Sequence, residues 1–395
     1  MNTNKYAMVI DGNYFLSRSL YALPSKGEKL LDDGYDVLLR KCLTDLCYQI
    51  KTFKEIVDTI VFTIDSHSWR KDHYQDYKAN RKKNEDAVNW DNWALCCDEI
   101  EKILVKHGIV VARKMDLEGD DLIYEWTTRF TRAGKSSIII SADRDLTQLL
   151  YSNETSRVVL YAPSNKKLYA TSGFKKWLDT VDEVTKRETI FEINFPKGLR
   201  SKLVFNELLK DIEYVETNPE EVRFIKIISG DTSDNIEPIV YELQPNGRHK
   251  TSNEKVAKRV FDKFVEKNKD YNFMFLFEDD AVNEIVGYVI DECKLDNSKF
   301  ASIKNSFNEN VKLIVLNRQA YPTEIYEKLS SYIDTFDIEN MSLKTNAVAK
   351  LINMQDLISG TKYEKTIKNA SITSNTFKGA TDGDKTLSFI RKTKR

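Results

Sequence analysis

Histidine and cysteine are scarce in this sequence: its 395 residues include only four of the first and five of the second. The cysteines (Cys42, Cys47, Cys96, Cys97 and Cys293) are odd in number and show no C-x-x-C spacing, which argues against a disulfide framework and against a zinc ribbon. Without H-E-x-x-H among the histidines, any metal chemistry must rest on carboxylates. Glycine and proline are also few, 14 and 7, which disfavours a turn-dense all-β chain. No apolar run approaches the ~20 residues of a membrane span, and no secretory signal precedes the first strand-like segment. A cytoplasmic chain with no membrane partner is therefore expected. Excess charge is missing too, since 60 Lys and Arg stand against 61 Asp and Glu, a net charge of −1. Any nucleic acid must then be gripped by local patches.

What is present is globular: hydrophobic residues make up 41% and aromatics 11%, too much for wholesale disorder. The length allows two domains. Short β-branched runs at 7–10, 60–64, 109–112, 137–140 and 158–161 alternate with helical periods. Val37, Leu38, Cys42, Leu46, Ile50 and Phe53 share one helix face; Trp93, Cys97, Ile100, Leu104 and His107 share another. This rhythm predicts an α/β fold, a parallel sheet with helices on both faces. Residues 68–92 break it as a basic, aromatic surface insertion. Beyond 161 the chain reads as helical and charged (177–186, 203–213, 253–267, 323–332), with a β-like island at 311–316. The predicted organisation is a domain at 1–175, a charged helical insertion at 176–220, a helical unit at 221–339 and a basic tail at 340–395 with 11 Lys and Arg against 4 Asp and Glu.

The most informative pattern is the placement of acids. Asp11 closes the first run and Asp65 the second, Asp143 and Asp145 follow the fourth, and Glu118, Asp120 and Asp121 open the helix after the third. Residues beyond the carboxyl ends of parallel strands converge on one crevice. Singly, each acid could be an ordinary turn or cap residue. Together they would repel, by about 4 kcal/mol per pair at 4 Å and an effective dielectric of 20, so the cluster calls for cations. All-oxygen ligands select Mg²⁺ or Mn²⁺, and paired ions of that kind serve phosphodiester hydrolysis. A further pair, Asp231 and Asp234 in Gly230-Asp231-Thr232-Ser233-Asp234-Asn235, reads either as a cap or as two carboxylates facing one way at a helix start.

In chain order, Val9-Ile10-Asp11, Ile64-Asp65, Trp69-Arg70-Lys71-Asp72, Tyr77-Lys78-Ala79-Asn80-Arg81, Glu118-Gly119-Asp120-Asp121, Ser141-Ala142-Asp143-Arg144-Asp145 and Gly230-Asp231-Thr232-Ser233-Asp234 resemble the motifs of the 5′-3′ exonuclease and flap endonuclease superfamily of PIN-like nucleases, and within it the phage-type ribonuclease H. The resemblance covers about residues 6–333. It implies a PIN-like domain, two Mg²⁺ ions for which Mn²⁺ substitutes, and hydrolysis of DNA and RNA–DNA hybrid at 5′ ends or flaps. It further implies that Asp11, Asp65, Glu118 and Asp120 hold one ion and that Asp120, Asp143 and Asp145 hold the other. Asp231 and Asp234 would act through water, and Asp121 as an outer ligand.

The sequence departs from the pattern at Gly119, where the superfamily has Ala and where glycine loosens a helix start. The Gly-rich hairpin that binds potassium in most members is also missing, which leaves potassium binding open. In its place Arg248 and Lys250 would grip duplex. The lengths at 177–219 and beyond 332 match nothing in the superfamily.

Between Arg70 and Lys83 lie Arg70, Lys71, Lys78, Arg81, Lys82 and Lys83, against Asp72 and Asp76, with Trp69, Tyr74, Tyr77 and Trp90 interleaved. Such a run is usually a solvated helix face. The resemblance makes it a gateway for single-stranded 5′ ends, with Lys78 and Arg81 on the scissile phosphate, Arg70 in support, and Lys71, Tyr74, Tyr77, Lys82 and Lys83 along the strand. Two other readings stand beside this one. A non-catalytic DNA-junction protein would have lost a ligand, and a PIN-type single-strand ribonuclease would lack the helical unit and Asp231 and Asp234. The segment 386–395 reads first as a basic tail that brushes DNA and, as the sharper alternative, as an anchor at 386–390 for a sliding clamp or another replication partner; a single-strand-binding protein is a further expected partner of a monomeric chain.

Overall fold

The computed structural model describes residues 6–24, 29–81, 87–179, 199–243, 249–271, 273, 278–338 and 341. Lys82, Lys83, Arg248, residues 180–198 of the expected insertion and nearly all of the tail lie outside them. Among the described residues no helix is long and apolar enough to cross a membrane.

Eight strands form the main sheet: β1 (Tyr6–Asp11), β2 (Val57–Thr63), β3 (Val110–Ala112), β4 (Ser136–Ile140), β5 (Tyr151–Ser152), β6 (Arg157–Ala162), β7 (Lys167–Ala170) and β8 (Glu213–Glu216). Their order is β3-β2-β1-β4-β6-β7-β8, with β5 paired to β6. The run from β3 to β6 is parallel, and β7 is antiparallel to β6. β1 is buried along its whole length, and its side chains alternate between two cores. Tyr6, Met8 and Ile10 join the helices Asp36–Phe53 and Trp90–Lys106 on one face; Ala7 and Val9 join the helix Gly119–Arg132 on the other. The parallel α/β sheet with helices on both faces is thus as expected. Because the chain runs β1-β2-β3 to one side and β4-β6 to the other, the switch in strand order falls between β1 and β4, where such sheets bind ligands.

Several expectations need correction. Val37 is exposed, since the helix Asp36–Phe53 turns its apolar stripe inward from Leu38. Helix was expected through residue 213, but the helix Leu199–Leu208 ends earlier and Glu213–Glu216 pairs with β7. Phe205 on that helix is fully buried and packs edge-on against Tyr6 at 5.5 Å and Phe174 at 5.1 Å. The described part of 176–220 therefore completes the main sheet and its core. The β-like island at 311–316 is instead the end of the helix Phe300–Ile314 and the extended link after it, its apolar run serving contacts on several sides.

The helical unit has its own core, built from the helices Pro219–Ser229, Glu254–Lys267, Asp279–Cys293 and Phe300–Ile314. The first starts at Asn218, whose side chain caps Glu220 N at 3.0 Å, with Pro219 at the first helical position. The helix Thr323–Ile333 was expected in this unit. It packs under the main sheet instead, with Leu329 and Ile333 buried in the core of the helix Gly119–Arg132 and Phe336 5.2 Å from Trp126.

Candidate active site

Asp11 ends β1 and caps the helix Gly12–Tyr21, accepting from Tyr14 N at 3.0 Å. Its second oxygen accepts from Ser141 Oγ at 2.7 Å, which ties the end of β1 to the end of β4. Asp65 follows β2 and accepts from Gly119 N at 2.6 Å. A Cβ on Gly119 would stand 2.8 Å from that oxygen, so glycine here lets a carboxylate sit against a helix N-terminus. Glu118 and Asp121 form a reciprocal capping box at the same terminus. Asp143 N donates to Ser141 Oγ, and Asp145 N to Asp143 Oδ1, at 3.0 and 2.8 Å. Asp231 and Asp234 are not at a helix start. They occupy a tight turn closed by paired backbone bonds between Asp231 and Ile236, and it begins at Gly230 with φ +69°, where a Cβ would lie 2.4 Å from Ile236 O.

These segments meet. Glu118, Asp120, Asp145, Asp231 and Asp234 line one pocket with Arg70 and Tyr77. Burial, then the charges of Asp143, Asp11 and, less strongly, Asp65, push the Asp120 carboxyl well above its usual range. Burial also raises Asp11 to about 7, against its hydrogen bonds from Tyr14 and Ser141, with the charges of Asp65 and Asp143 adding to the rise. Asp145 reaches about 7 through burial and the charge of Asp143, opposed by Lys226. Glu118 goes the other way: burial would raise it, but the Arg70 guanidinium and the Lys78 ammonium outweigh this and hold it near 2.

The protein's own cations divide the cluster. Lys78 Nζ donates to Glu118 at 2.5 Å and stands 3.7 Å from Asp234. Arg81, exposed, pairs with Asp234. Lys78 and Arg81 thus each pair with a carboxylate that lines the pocket. Lys226, on the helix Pro219–Ser229, bridges Asp145 and Asp231, with 2.6 Å to the latter. Sequence reading missed Lys226. Its position shortly before Gly230-Asp231 becomes a signal only once that helix is known to lie against Asp145.

Other expected contacts are placed differently. Arg70 is 2% exposed, with Nη1 3.1 Å from Glu118, Nη2 2.8 Å from Asp121 and Nε 2.9 Å from Leu313 O, so it braces carboxylates inside the protein and faces no open groove. Asp121 is fully buried on that guanidinium, away from the pocket. Tyr77 is also buried, its hydroxyl donating to Glu118 and Asp234 at 3.0 and 3.2 Å, so its ring offers no stacking face. Tyr74 packs beside it, half-buried. Lys71 is exposed. Lys250 lies on the small hairpin of β9 (Tyr241–Leu243) and β10 (His249–Thr251), its ammonium on Lys294 O at 3.1 Å and apart from the acidic pocket.

Among the described residues no three or more acids, cysteines or histidines form a ready-made metal cage. The donor chemistry nonetheless fits a hard divalent ion: carboxylates alone, crowded enough to raise one another's proton affinity.

The carboxylates thus gather at the switch point of a mostly parallel α/β sheet, where such sheets bind ligands. Residues 6–179 match the family model described as 5′-3′ exonuclease, N-terminal resolvase-like domain. Among curated proteins, the flap endonuclease Xni of Shewanella amazonensis is 32% identical over 143 residues, which are 36% of this chain and 52% of that protein. The 5′-3′ exonuclease of Mycoplasma pneumoniae is 27% identical over 174 residues, 43% of this chain and 57% of its own. DNA polymerase I of Mycobacterium bovis is 29% identical over 161 residues, 39% of this chain but 16% of the polymerase. The chain thus spans little more than half the length of the two nucleases and a small part of the polymerase. A solved structure of the T5 D15 protein with metal ions aligns over 90% of this chain and 100% of its own at TM-score 0.48 and 13% identity.

Proposed function

We propose that the chain is a Mg²⁺-dependent 5′-3′ exonuclease and structure-specific 5′ flap endonuclease of the ribonuclease H type, with Mn²⁺ as a substitute, removing RNA primers and flaps at 5′ ends during replication. The observation that carries this reading is the pocket itself, in which acids from strand ends and from the turn of Asp231 and Asp234 converge beside Lys78 and Arg81. The family match of residues 6–179 supports it.

In this reading Asp11, Asp65, Glu118 and Asp120 hold one ion and Asp120, Asp143 and Asp145 the other, with Asp231 and Asp234 farther out. Bound there, divalent ions supply an activated water and offset the charge that grows on the phosphate. The chain's own residues do the rest. Ser141 and Gly119 N orient Asp11 and Asp65. Lys78, whose pKa stands above the usual lysine value because Glu118, Asp234 and Asp120 outweigh its burial, stays charged and exchanges a carboxylate for a phosphate oxygen. Arg81 is exposed and reaches the same phosphate, and Lys71 tracks the strand. In this reading Lys82, Lys83, Arg248 and Lys250 would also contact the nucleic acid, and a clamp or single-strand-binding protein would meet the tail of a monomeric, cytoplasmic enzyme.

The test is cleavage of a 5′-labelled flap and of an RNA–DNA hybrid in Mg²⁺ or Mn²⁺. Wild type should cut both, whereas Asp120→Asn should be slowed by roughly a hundredfold or more, as expected for loss of a metal-ligating carboxylate. An inactive wild type, or an Asp120→Asn variant of full activity, would sink the proposal.

A further inference from the structure

The acidic turn at Asp145 and the Glu118 cap are separate in sequence, yet both are anchored to one short stretch of the C-terminal half, residues 313–321. Gln148 sits on the 3-10 helix Asp145–Leu149 and is buried. Its side-chain amide copies a strand pair: Nε2 donates to Ile314 O at 3.2 Å, and Oε1 accepts from Leu316 N at 2.9 Å. Arg70 Nε donates to Leu313 O while its two terminal nitrogens hold Glu118 and Asp121. Tyr321, buried, donates its hydroxyl to Asp121 Oδ1 at 2.9 Å and stacks on Tyr124 with ring centroids 5.8 Å apart. Asp121 in turn accepts from Glu118 N at 3.0 Å. One stretch therefore meets both groups of pocket carboxylates, through Gln148 on one side and through Arg70 and Tyr321 on the other. It lies beyond residues 6–179, the part matched to the exonuclease family.

We propose that residues 313–321 act as a strut that sets the spacing between the Glu118 and Asp145 carboxylate groups, with Gln148 and Tyr321 as positioning residues for the divalent ions. This inference rests on the nuclease reading above. The strut contacts are fully satisfied buried hydrogen bonds, which fix side-chain direction much more tightly than apolar packing does. Residues that orient metal ligands typically change metal affinity by about 10- to 100-fold when removed.

The experiment titrates Mn²⁺ into metal-stripped full-length protein, with the free ion followed by electron paramagnetic resonance, for wild type, Gln148→Leu, Tyr321→Phe and Val260→Ala. Val260 is a buried residue of the separate helical core and serves as a stability control. Gln148→Leu should bind Mn²⁺ roughly tenfold more weakly, with binding of a flap substrate in Ca²⁺ unchanged, and Val260→Ala should keep wild-type Mn²⁺ affinity despite its lower melting temperature. Should Gln148→Leu fail to fold, Tyr321→Phe, which loses one hydroxyl, carries the same expectation of weakened Mn²⁺ binding. Wild-type Mn²⁺ affinity in the folded strut variants, or an equal loss in Val260→Ala, would overturn the strut alone. Failure of the wild type to bind Mn²⁺ at all would overturn the nuclease reading and the strut with it.

Discussion

Arg70 shows how one side chain can look like a substrate contact in sequence and become an internal brace in the fold. It follows Asp65 in a basic run, yet its guanidinium is buried between two carboxylates and a backbone carbonyl, with the Trp69 ring 4.7 Å away. Removing one partner of a buried ion pair leaves an uncompensated charge and typically costs about 3–5 kcal/mol. Arg70→Met should lower the unfolding free energy obtained from urea titration by an amount of that order. Arg70→Lys should recover little of it, because an ammonium cannot span both acids and the Leu313 carbonyl as the planar fork does. A fully stable Arg70→Lys would contradict the bracing role. Lys226 is the converse case, a residue of no conspicuous motif that neutralises Asp145 and Asp231 together.

At the scale of elements, the acids are held by chain ends. The capping box of Glu118 and Asp121 starts the helix Gly119–Arg132, and the Gly230 turn ends the helix Pro219–Ser229, so the same residues that stop and start helices also aim carboxylates. The helix Leu199–Leu208 has another role. Phe205 fills the space between Tyr6, Phe53 and Phe174, closing the lower end of the main sheet far from the pocket. Truncating a fully buried phenylalanine costs about 3–5 kcal/mol. Phe205→Ala should therefore destabilise the domain of the main sheet by that order in chemical denaturation. If 176–220 were a peripheral insertion, the loss would be well under about 1 kcal/mol.

Across the whole molecule, the last described helix belongs to the first domain. Trp126 and Phe130 in the helix Gly119–Arg132 lie beneath Phe336, Leu329 and Ile333. A chain ending after residue 320 should expose this surface and melt far below the full protein by circular dichroism, or be recovered only as aggregate. An unchanged melting curve would show that the nuclease domain is complete without it. The net charge of −1 has a similar logic. It is the sum of an acidic pocket and basic runs elsewhere in the sequence, so the proposed function carries the expectation of a salt-sensitive grip on nucleic-acid ends over general coating of duplex.

The sheet was legible because strand and helix periods differ and because β1, β2, β4 and β6 are buried on both faces, which leaves continuous β-branched runs. Asp11, Asp65, Asp143 and Asp145 were legible for the same reason, since the end of a parallel strand is a fixed address in the fold. β7, β8 and the link after Ile314 were not legible, because they are short and carry contacts on several sides with no single period. No local pattern could reveal that Arg70, Tyr77 and Asp121 turn inward, or that Lys226, Gln148 and Tyr321 join the site. Each meets partners dozens to hundreds of positions away, so its surroundings exist only after the chain has folded. By itself the sequence determined the order of elements and the chemistry available at the strand ends. Which cations answer those carboxylates, and what holds them apart, was decided only by tertiary structure, because a charge's environment is set by what packs against it and not by its neighbours along the chain.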